Sequence, residues 1–521
     1  MAAVLDLPEE IRLLIGRFLD IKAIQACLLV SRSFRRSFEP ILWQKVVIRS
    51  PHSPLVVNKK ITLVDIAALR TRTLDVLNYV IYNKADPEFY KLSFPHLRRL
   101  QLTDETNEIL YRENMNDSDA SFPRDYRGQG LLQDQLVQLN PTVGTLVITS
   151  LPITPSAEFW TVIYSTWVNP RILHVTGLVA LTEEASNAFW MACTRFEHLS
   201  LILIKVAFSS LLSTFTFPRV RHLNIKTASK VKARWFQPTD QMVVMKACPQ
   251  LRHLTMSGPS SPRLLADFQR AIDLNHWPHL DSLDLDHVYN KRGKFFCELL
   301  RALPALTALR LEYCQLSDIG FQQLRRCHFT TLRTLKIFAG CGFTSKMALE
   351  VLISCVNLEV FRSTHIYAHD LDPQTPWVCK RLRSLTTCVV HRESNPNRVA
   401  LDQHVFAQLA QLTNLVHLDL TQYPMGYTLS DPEVHLMDAL NTLDIRLKAG
   451  LGKLSTLSRL RFFGSGNSFQ ITSEAEILWM LEHWRDLKTV VGQLDVRNSA
   501  ALKAMADRGV HYQLSAPRRD F

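Results

Sequence analysis

The sequence predicts an α/β repeat solenoid, with parallel strands on its concave side and helices on its convex side, preceded by a small all-helical N-terminal unit. Three observations carry this prediction. A Leu-x-x-Leu-x-Leu unit recurs along most of the 521 residues. Its middle copies start at Leu280, Leu306, Leu332 and Leu358, a constant step of 26 residues. The residues up to about 48 instead carry apolar side chains at helical spacing.

Composition bounds the function. Apolar residues make up 47% and charged residues 21%, which excludes a wholly disordered or fibrous chain. Sixty Lys and Arg against 48 Asp and Glu give a net charge of +12, a modest excess over this length. The opening Met1 to Glu10 has no basic start and meets acids before any long apolar run, so it does not read as a signal peptide. The best membrane-span candidate, residues 199–217, contains Lys205 and many Ser and Thr. It reads as a buried strand, a loop and a short helix. Ten cysteines are too sparse for a disulfide scaffold, and no Cys-x-x-Cys pair suggests structural zinc. Reduced thiols in a cytoplasmic or nuclear protein are expected.

In the N-terminal unit, Ile11, Leu14, Ile15, Phe18 and Leu19 form one helical stripe. Pro8 suits its first turn, where a missing N–H costs nothing, and Glu9 and Glu10 sit at the positive end of the helix dipole. Asp20 can cap a second helix with Ile21, Ile24, Cys27 and Leu28. Ser31 can cap a third with Phe34 and Phe38, running to Trp43. Three helices in so short a span cannot bury both faces, so the unit needs a partner in this chain or another.

Leu7-Pro8-Glu9-Glu10-Ile11, the Ile15 to Leu19 stretch, Val30-Ser31-Arg32-Ser33-Phe34 and the closing Leu42-Trp43 together resemble an F-box. Ser31 stands where that family commonly has Cys, and Phe34 where it commonly has Trp. Both keep the helical pattern. The resemblance implies docking on the Skp adaptor of a cullin–RING ubiquitin ligase. Leu7, Pro8, Ile11, Ile15, Phe18, Val30 and Trp43 would form or support the apolar docking surface. A plain three-helix cap for the following repeats is the alternative.

The repeats start at Leu97, Val220, Leu251, Leu280, Leu306, Leu332, Leu358, Leu382, Leu415 and Leu457, with weaker copies near Val143, Ile172, Leu199 and Leu487. In each, Leu-x-Leu puts two side chains on one face of a short strand. The second half of the period, such as 320–327, reads as an amphipathic return helix. One repeat cannot bury its Leu face, whereas stacked repeats bury a continuous core. The steps are 26 residues in the middle of the array and 29 and 31 upstream, against a period of about 20–29 for leucine-rich repeats. The run from Leu306 through Cys314 and Leu316 to Phe321 resembles the cysteine-containing class. Cys248, Cys355 and Cys379 each lie three residues before a repeat's first Leu, as small buried fillers.

The expected organisation is an F-box over 1–50, a linker with the first solenoid helices over 51–93, the solenoid over 94–495, and a C-terminal cap and tail over 496–521. A polar loop is expected over about 104–133, and a shorter polar link over 389–398. Residues 431–453, with Val434, Met437, Leu440, Leu443 and Leu447, read as a longer helix ended by Gly450 and Gly452. Ser473 and Glu476 form a capping box for a helix whose Ile477, Leu478, Leu481 and Trp484 would close the last repeat.

No phosphate loop, dinucleotide fingerprint or nucleophile elbow occurs, so no enzyme and no cofactor are expected. His365 and His369 read as ordinary loop histidines, and no metal is expected. His222, His253 and His417 precede a strand Leu and should face solvent on the concave side. Arg98, Arg99, Arg221, Arg252, Arg310, Arg333, Lys336 and Arg383 make that side mildly basic. Asp281, Asp284 and Asp419 interrupt them, which disfavours nucleic acid and suits either a solvated, mildly basic face or one that prefers acidic protein partners. The resemblances imply a substrate-recognition subunit of a Skp–cullin–F-box ubiquitin ligase that binds an unknown protein substrate on the repeats. The alternative is a leucine-rich-repeat scaffold without any ligase role.

Overall fold

Alternating burial along each Leu-x-Leu segment produces short strands whose apolar residues align from one repeat to the next. The computed structural model describes residues 7–16, 19, 21–42, 45–48, 76–80, 93–94, 96–103, 130–149, 155–177, 181–202, 204, 215–226, 238–257, 262–286, 294–338, 341–391, 397–421, 442–465, 471–494 and 499–514. The chain divides into two compact units, Met1–Thr255 with His276–Pro278, and Met256–Asn275 with His279–Phe521.

The first unit opens with helices α1 (Glu9–Gly16), α2 (Ile21–Val30) and α3 (Arg32–Leu42). Pro8 stands just outside α1, and its carbonyl accepts the N–H groups of Ile11 and Arg12, each at 3.1 Å. Ser31 caps α3, its hydroxyl accepting the Phe34 N–H at 3.1 Å. Ile24, Phe34 and Phe38 are buried together, with Leu19 and Cys27 packed on them. Phe34 and Phe38, one turn apart, stack with ring centroids 5.3 Å apart. Asp20, expected to cap α2, lies outside the described residues.

Strands β1 (Lys45–Ile48), β2 (Val76–Val80), β3 (Arg99–Thr103), β4 (Thr145–Thr149), β5 (Ile172–Thr176), β6 (His198–Ile202) and β7 (His222–Lys226) pair in parallel, each with the next. Leu100, Leu146, Leu173, Leu199 and Leu223 stand in register across them. The Arg221 carbonyl accepts the N–H groups of Arg252 and His253, which start β8 (His253–Ser257). Helices α4 (Gly130–Gln138), α5 (Ala157–Thr166), α6 (Glu183–Cys193) and α7 (Pro238–Lys246) lie between strands.

The second unit repeats the construction. Its helices are α8 (Pro262–Asp273), α9 (Lys294–Ala302), α10 (Asp318–His328), α11 (Ser345–Ser354), α12 (Arg398–Ala410), α13 (Glu474–His483) and α14 (Ser499–Asp507). Its strands are β9 (Ser282–Asp286), β10 (Ala308–Glu312), β11 (Thr334–Ile337), β12 (Val360–Tyr367), β13 (Ser384–Val390), β14 (His417–Asp419), β15 (Phe462–Gly464), β16 (Ile471–Thr472), β17 (Thr489–Leu494) and β18 (His511–Leu514). Leu283, Leu309, Leu335, Phe361, Leu385, Leu418, Phe463, Val490 and Tyr512 stand in register along this stack. Both units are therefore leucine-rich-repeat stacks of parallel strands with helices alongside.

In the described repeats from β3 to β17, the slot three residues before the first apolar position is buried whatever fills it, as with Phe94, Trp167, Cys193, Phe217, Cys248 and Trp277, then Phe329, Cys355, Cys379, Leu412 and Trp484. Cys is one filler among several. The tryptophans add a clasp, because a buried indole N–H needs an acceptor. Trp167, Trp277 and Trp484 donate to the carbonyls of Val137, Met245 and Leu454 at 3.2, 2.8 and 3.0 Å.

Several expectations change. Parallel pairing extends beyond 94–495, since β2 pairs with β3 and β18 with β17. Residues 45–48, within the span expected for the F-box, form β1. Gly130–Gln133, at the end of the expected polar loop, are helical in α4. The repeat expected at Leu457 starts at Leu460, because Phe463 is the residue in register with Leu418. In the expected link over 389–398, Val389 and Val390 belong to β13, His391 is buried and Arg398 opens α12.

The helix expected over 431–453 does not form among its described residues. The Leu443 N–H bonds to the Val389 carbonyl at 3.0 Å, and Thr442 makes an antiparallel bridge with Val390. Two 3₁₀ turns follow, Leu447–Ala449 and Leu451–Thr456, separated by Gly450 at φ +118°. That left-handed residue also meets Phe406 and Gln403 so closely that a Cβ would crowd them. Val434, Met437 and Leu440 lie outside the described residues. The capping box of Ser473 and Glu476 forms as expected, but Leu478 is exposed and a further repeat follows α13.

Candidate protein-docking surfaces

The N-terminal helices leave apolar side chains uncovered. In α1, Ile11 is 42% exposed, Leu14 50% and Ile15 36%. At the end of α2, Leu29 is 84% exposed and Val30 48%. Pro8 is exposed and Leu7 half-buried. The small cluster around Ile24, Phe34 and Phe38 uses what shelter these helices supply. The Arg12 guanidinium donates to the Ser33 hydroxyl and ties α1 to α3. Leu7, Pro8, Ile11, Ile15 and Val30 thus sit at or near the surface, while Phe18 and Trp43 lie outside the described residues. The motif does not single out Leu14 or Leu29. Leu14 was legible from its place three residues after Ile11. Leu29 was not, because Leu28-Leu29-Val30 is apolar throughout.

A second surface is the solvent-facing side of the strands. In the first unit, His198 and His222 are in register and stack with ring centroids 3.9 Å apart. His222 stacks on His253 at 4.0 Å. Burial, then the neighbouring His253 and His198 and the guanidiniums of Arg221 and Arg252, lower the His222 pKa to about 4. Burial also lowers His198, with Glu197 opposing. His174, bonded to Thr176 Oγ1 at 3.1 Å, is lowered by burial and by Arg99. His198 escapes a sequence reading because Phe196, not Leu, opens its repeat.

In the second unit, the position between the two buried strand residues carries Asp284, Arg310, Lys336 and Arg362 in direct register. Arg310 pairs with Asp284 at 3.4 Å and Glu312 at 2.6 Å. The guanidinium carbons of Arg310 and Arg362 lie 4.6 and 4.1 Å from the centroid of the Phe338 ring. Arg98, Arg221, Arg333 and Arg383 sit instead at the start of strands, where their carbonyls accept N–H groups of the next repeat. Arg362 and Phe338 become visible only when Phe361 is placed in register with Leu335.

His365 lies within β12, not in a loop, and packs on Tyr367 with ring centroids 4.9 Å apart. His417 stacks on Phe462 at 4.1 Å. Burial raises the thiols of Cys355 and Cys379 to about 12, so these sulfurs act as fillers. No group of three or more His, Cys, Asp or Glu among the described residues could hold a metal ion. No helix among them is long and apolar enough to cross a membrane.

Two solved structures are similar in overall course. One is a chain of the yeast Rad7–Elc1 complex, at 12% identity, covering 94% of this chain and 92% of that one, with a TM-score of 0.36. The other is the internalin InlF of Listeria monocytogenes, at 13% identity, covering 74% and 85%, with a TM-score of 0.28. No curated protein matches the chain. Residues 4–49, the segment that holds the uncovered apolar helices, match the F-box-like family model.

Proposed function

We propose that this protein is the substrate-recognition subunit of a Skp–cullin–F-box ubiquitin ligase. Its N-terminal helices dock on the Skp adaptor, and its leucine-rich repeats hold a protein substrate. Leu7, Pro8, Ile11, Ile15 and Val30, with Phe18 and Trp43, supply the adaptor surface. The observation that carries this reading is the uncovered apolar run of Ile11, Leu14 and Ile15, inside a segment that matches the F-box-like model. Single exposed apolar residues are ordinary, but Ile11, Leu14 and Ile15 share one stripe of α1, and a contiguous apolar patch marks a protein interaction site. The chain itself carries no chemistry in this reading. It raises the local concentration of substrate beside a ubiquitin-charged enzyme, so catalysis comes from proximity. The work takes place in the cytoplasm or nucleus.

The test is affinity purification of the full chain with identification of bound proteins. The Skp adaptor and a cullin should co-purify. Both should be lost from the Ile11→Asp/Val30→Asp variant and from Leu7→Ala/Pro8→Ala. Adaptor retention by both variants would overturn the proposed docking surface.

A further inference from the structure

We infer that the solvent-facing side of β10, β11 and β12 recognises an acidic side chain, carboxylate or phosphate, on an extended segment of a protein. This rests on the repeats being the substrate-binding part, and it names the chemistry of what they bind. Arg310, Lys336 and Arg362 occupy equivalent positions on three adjacent parallel strands. Neighbouring strands lie about 4.8 Å apart, so three cations stand in a row about 10 Å long. Like charges directly opposite one another destabilise a sheet. Such a row therefore calls for compensation from elsewhere.

The compensation inside the protein does not reach the middle of the row. Asp284 and Glu312 hold Arg310 from the β9 side. Lys336, in the middle and half-buried, makes no hydrogen bond or ion pair with any described residue. Beyond Arg362 the next position in the row is Thr386, which is uncharged. The arginines are also held in place, since both guanidiniums lie over the one Phe338 ring. A cation over an aromatic face is attracted by the ring quadrupole, and stacking lowers the side-chain entropy lost on binding. The result is a fixed fork on either side of an unpaired ammonium. Arginine suits bidentate recognition of carboxylate or phosphate, and lysine adds a point charge.

The flanking charges select the class of partner. Asp284, Asp286 and Glu312 border the row, with Asp286 in register with Glu312. A nucleic-acid backbone carries charge continuously and would run over these carboxylates. A peptide can set one or two acidic groups over Lys336 and keep neutral residues over the border.

The experiment measures fluorescence anisotropy of the full chain with three labelled peptides of one Gly/Ser sequence. One carries two glutamates, one carries two phosphoserines, and the parent carries neither. At least one acidic peptide should bind tenfold more tightly than the parent. Lys336→Glu should remove that preference, Lys336→Gln should weaken it several-fold, and the thermal midpoints of both variants should match the wild type. Acidic peptides that bind no better than the parent, or a preference that survives Lys336→Glu, would overturn the inference. So would an oligouridylate that binds more tightly than every peptide and depends on Lys336. Adaptor co-purification is read from the same preparations. Its absence alongside Lys336-dependent peptide binding counts against the ligase reading alone, and its presence without peptide preference counts against this site alone.

Discussion

His391 Nε2 lies 2.6 Å from Asp402 Oδ1, and both side chains are only 1% exposed. His391 follows β13 and Asp402 is in α12, so this contact joins strand and return helix of one repeat. Removing one member of a buried pair leaves the other desolvated and unpaired, at a cost of about 3–5 kcal/mol. Asp402→Ala should lower the stability of the chain by that order in urea unfolding. The double variant His391→Leu/Asp402→Leu should recover most of the loss. An Asp402→Ala effect below about 1 kcal/mol would show that the pair is not what holds α12 to the strand.

Trp277 occupies the slot three residues before Leu280, and its indole N–H reaches the Met245 carbonyl at 2.8 Å. Trp277→Phe keeps most of the apolar volume and loses this bond, while the carbonyl keeps the Cys248 N–H at 3.1 Å, so it should cost about 0.5–1.5 kcal/mol. Trp277→Ala also opens a cavity and should cost more, about 3–5 kcal/mol. A Trp277→Phe variant as stable as the wild type in denaturant titrations would remove the hydrogen bond from the account.

The histidine stack predicts acid sensitivity. His222 has a folded-state pKa of about 4 against an ordinary 6.5. As pH falls, the unfolded chain takes up the proton first, so the folded state loses stability between about 6.5 and about 4. Above that window His222 contributes no pH dependence. His222→Asn should flatten the decline in thermal midpoint between pH 6.5 and pH 4.5, and an unchanged slope would count against the stack as its source.

Asp134 works in the opposite sense. Burial is the main cause that raises its pKa from 3.8 to about 6, with the Ser156 hydroxyl opposing and Glu158 adding. The folded state keeps this proton longer than the unfolded chain, so stability falls as pH rises from about 3.8 to about 6. Asn cannot ionise and keeps an acceptor for Ser156, whose hydroxyl bonds the Asp134 carboxylate at 2.9 Å. Asp134→Asn should therefore raise the thermal midpoint at pH 7.5 and leave it unchanged near pH 4. A lower midpoint at pH 7.5 would mean that the charge itself is needed there.

The alternation of Leu-x-Leu was enough to place the strands of the central repeats, though not β1, β2, β16 or β18, and the caps at Ser31 and Ser473 were legible as well. Each rests on residues within three or four positions of one another, where chain geometry leaves little choice. The exposed stripe of Ile11 and Ile15 was legible for the same reason, since helical spacing alone groups it. Where two local readings compete, the sequence does not decide. Leu457 and Leu460 both fit a repeat start, and only pairing of Phe463 with Leu418 selects Leu460. Leu443 and Leu447 share a helical spacing, yet the Val389 carbonyl takes the Leu443 N–H and no α-helix forms among the described residues from 442 to 453.

The stacking of His222 on His198 and His253, and the row of Arg310, Lys336 and Arg362, join residues 24 to 31 positions apart in the chain. By itself the sequence determined the repeating strand, the return helix and the apolar faces, because these follow from periodicity. Only the tertiary structure decided which polar side chains stand next to one another. Those neighbours belong to different repeats, and the register between strands brings them together.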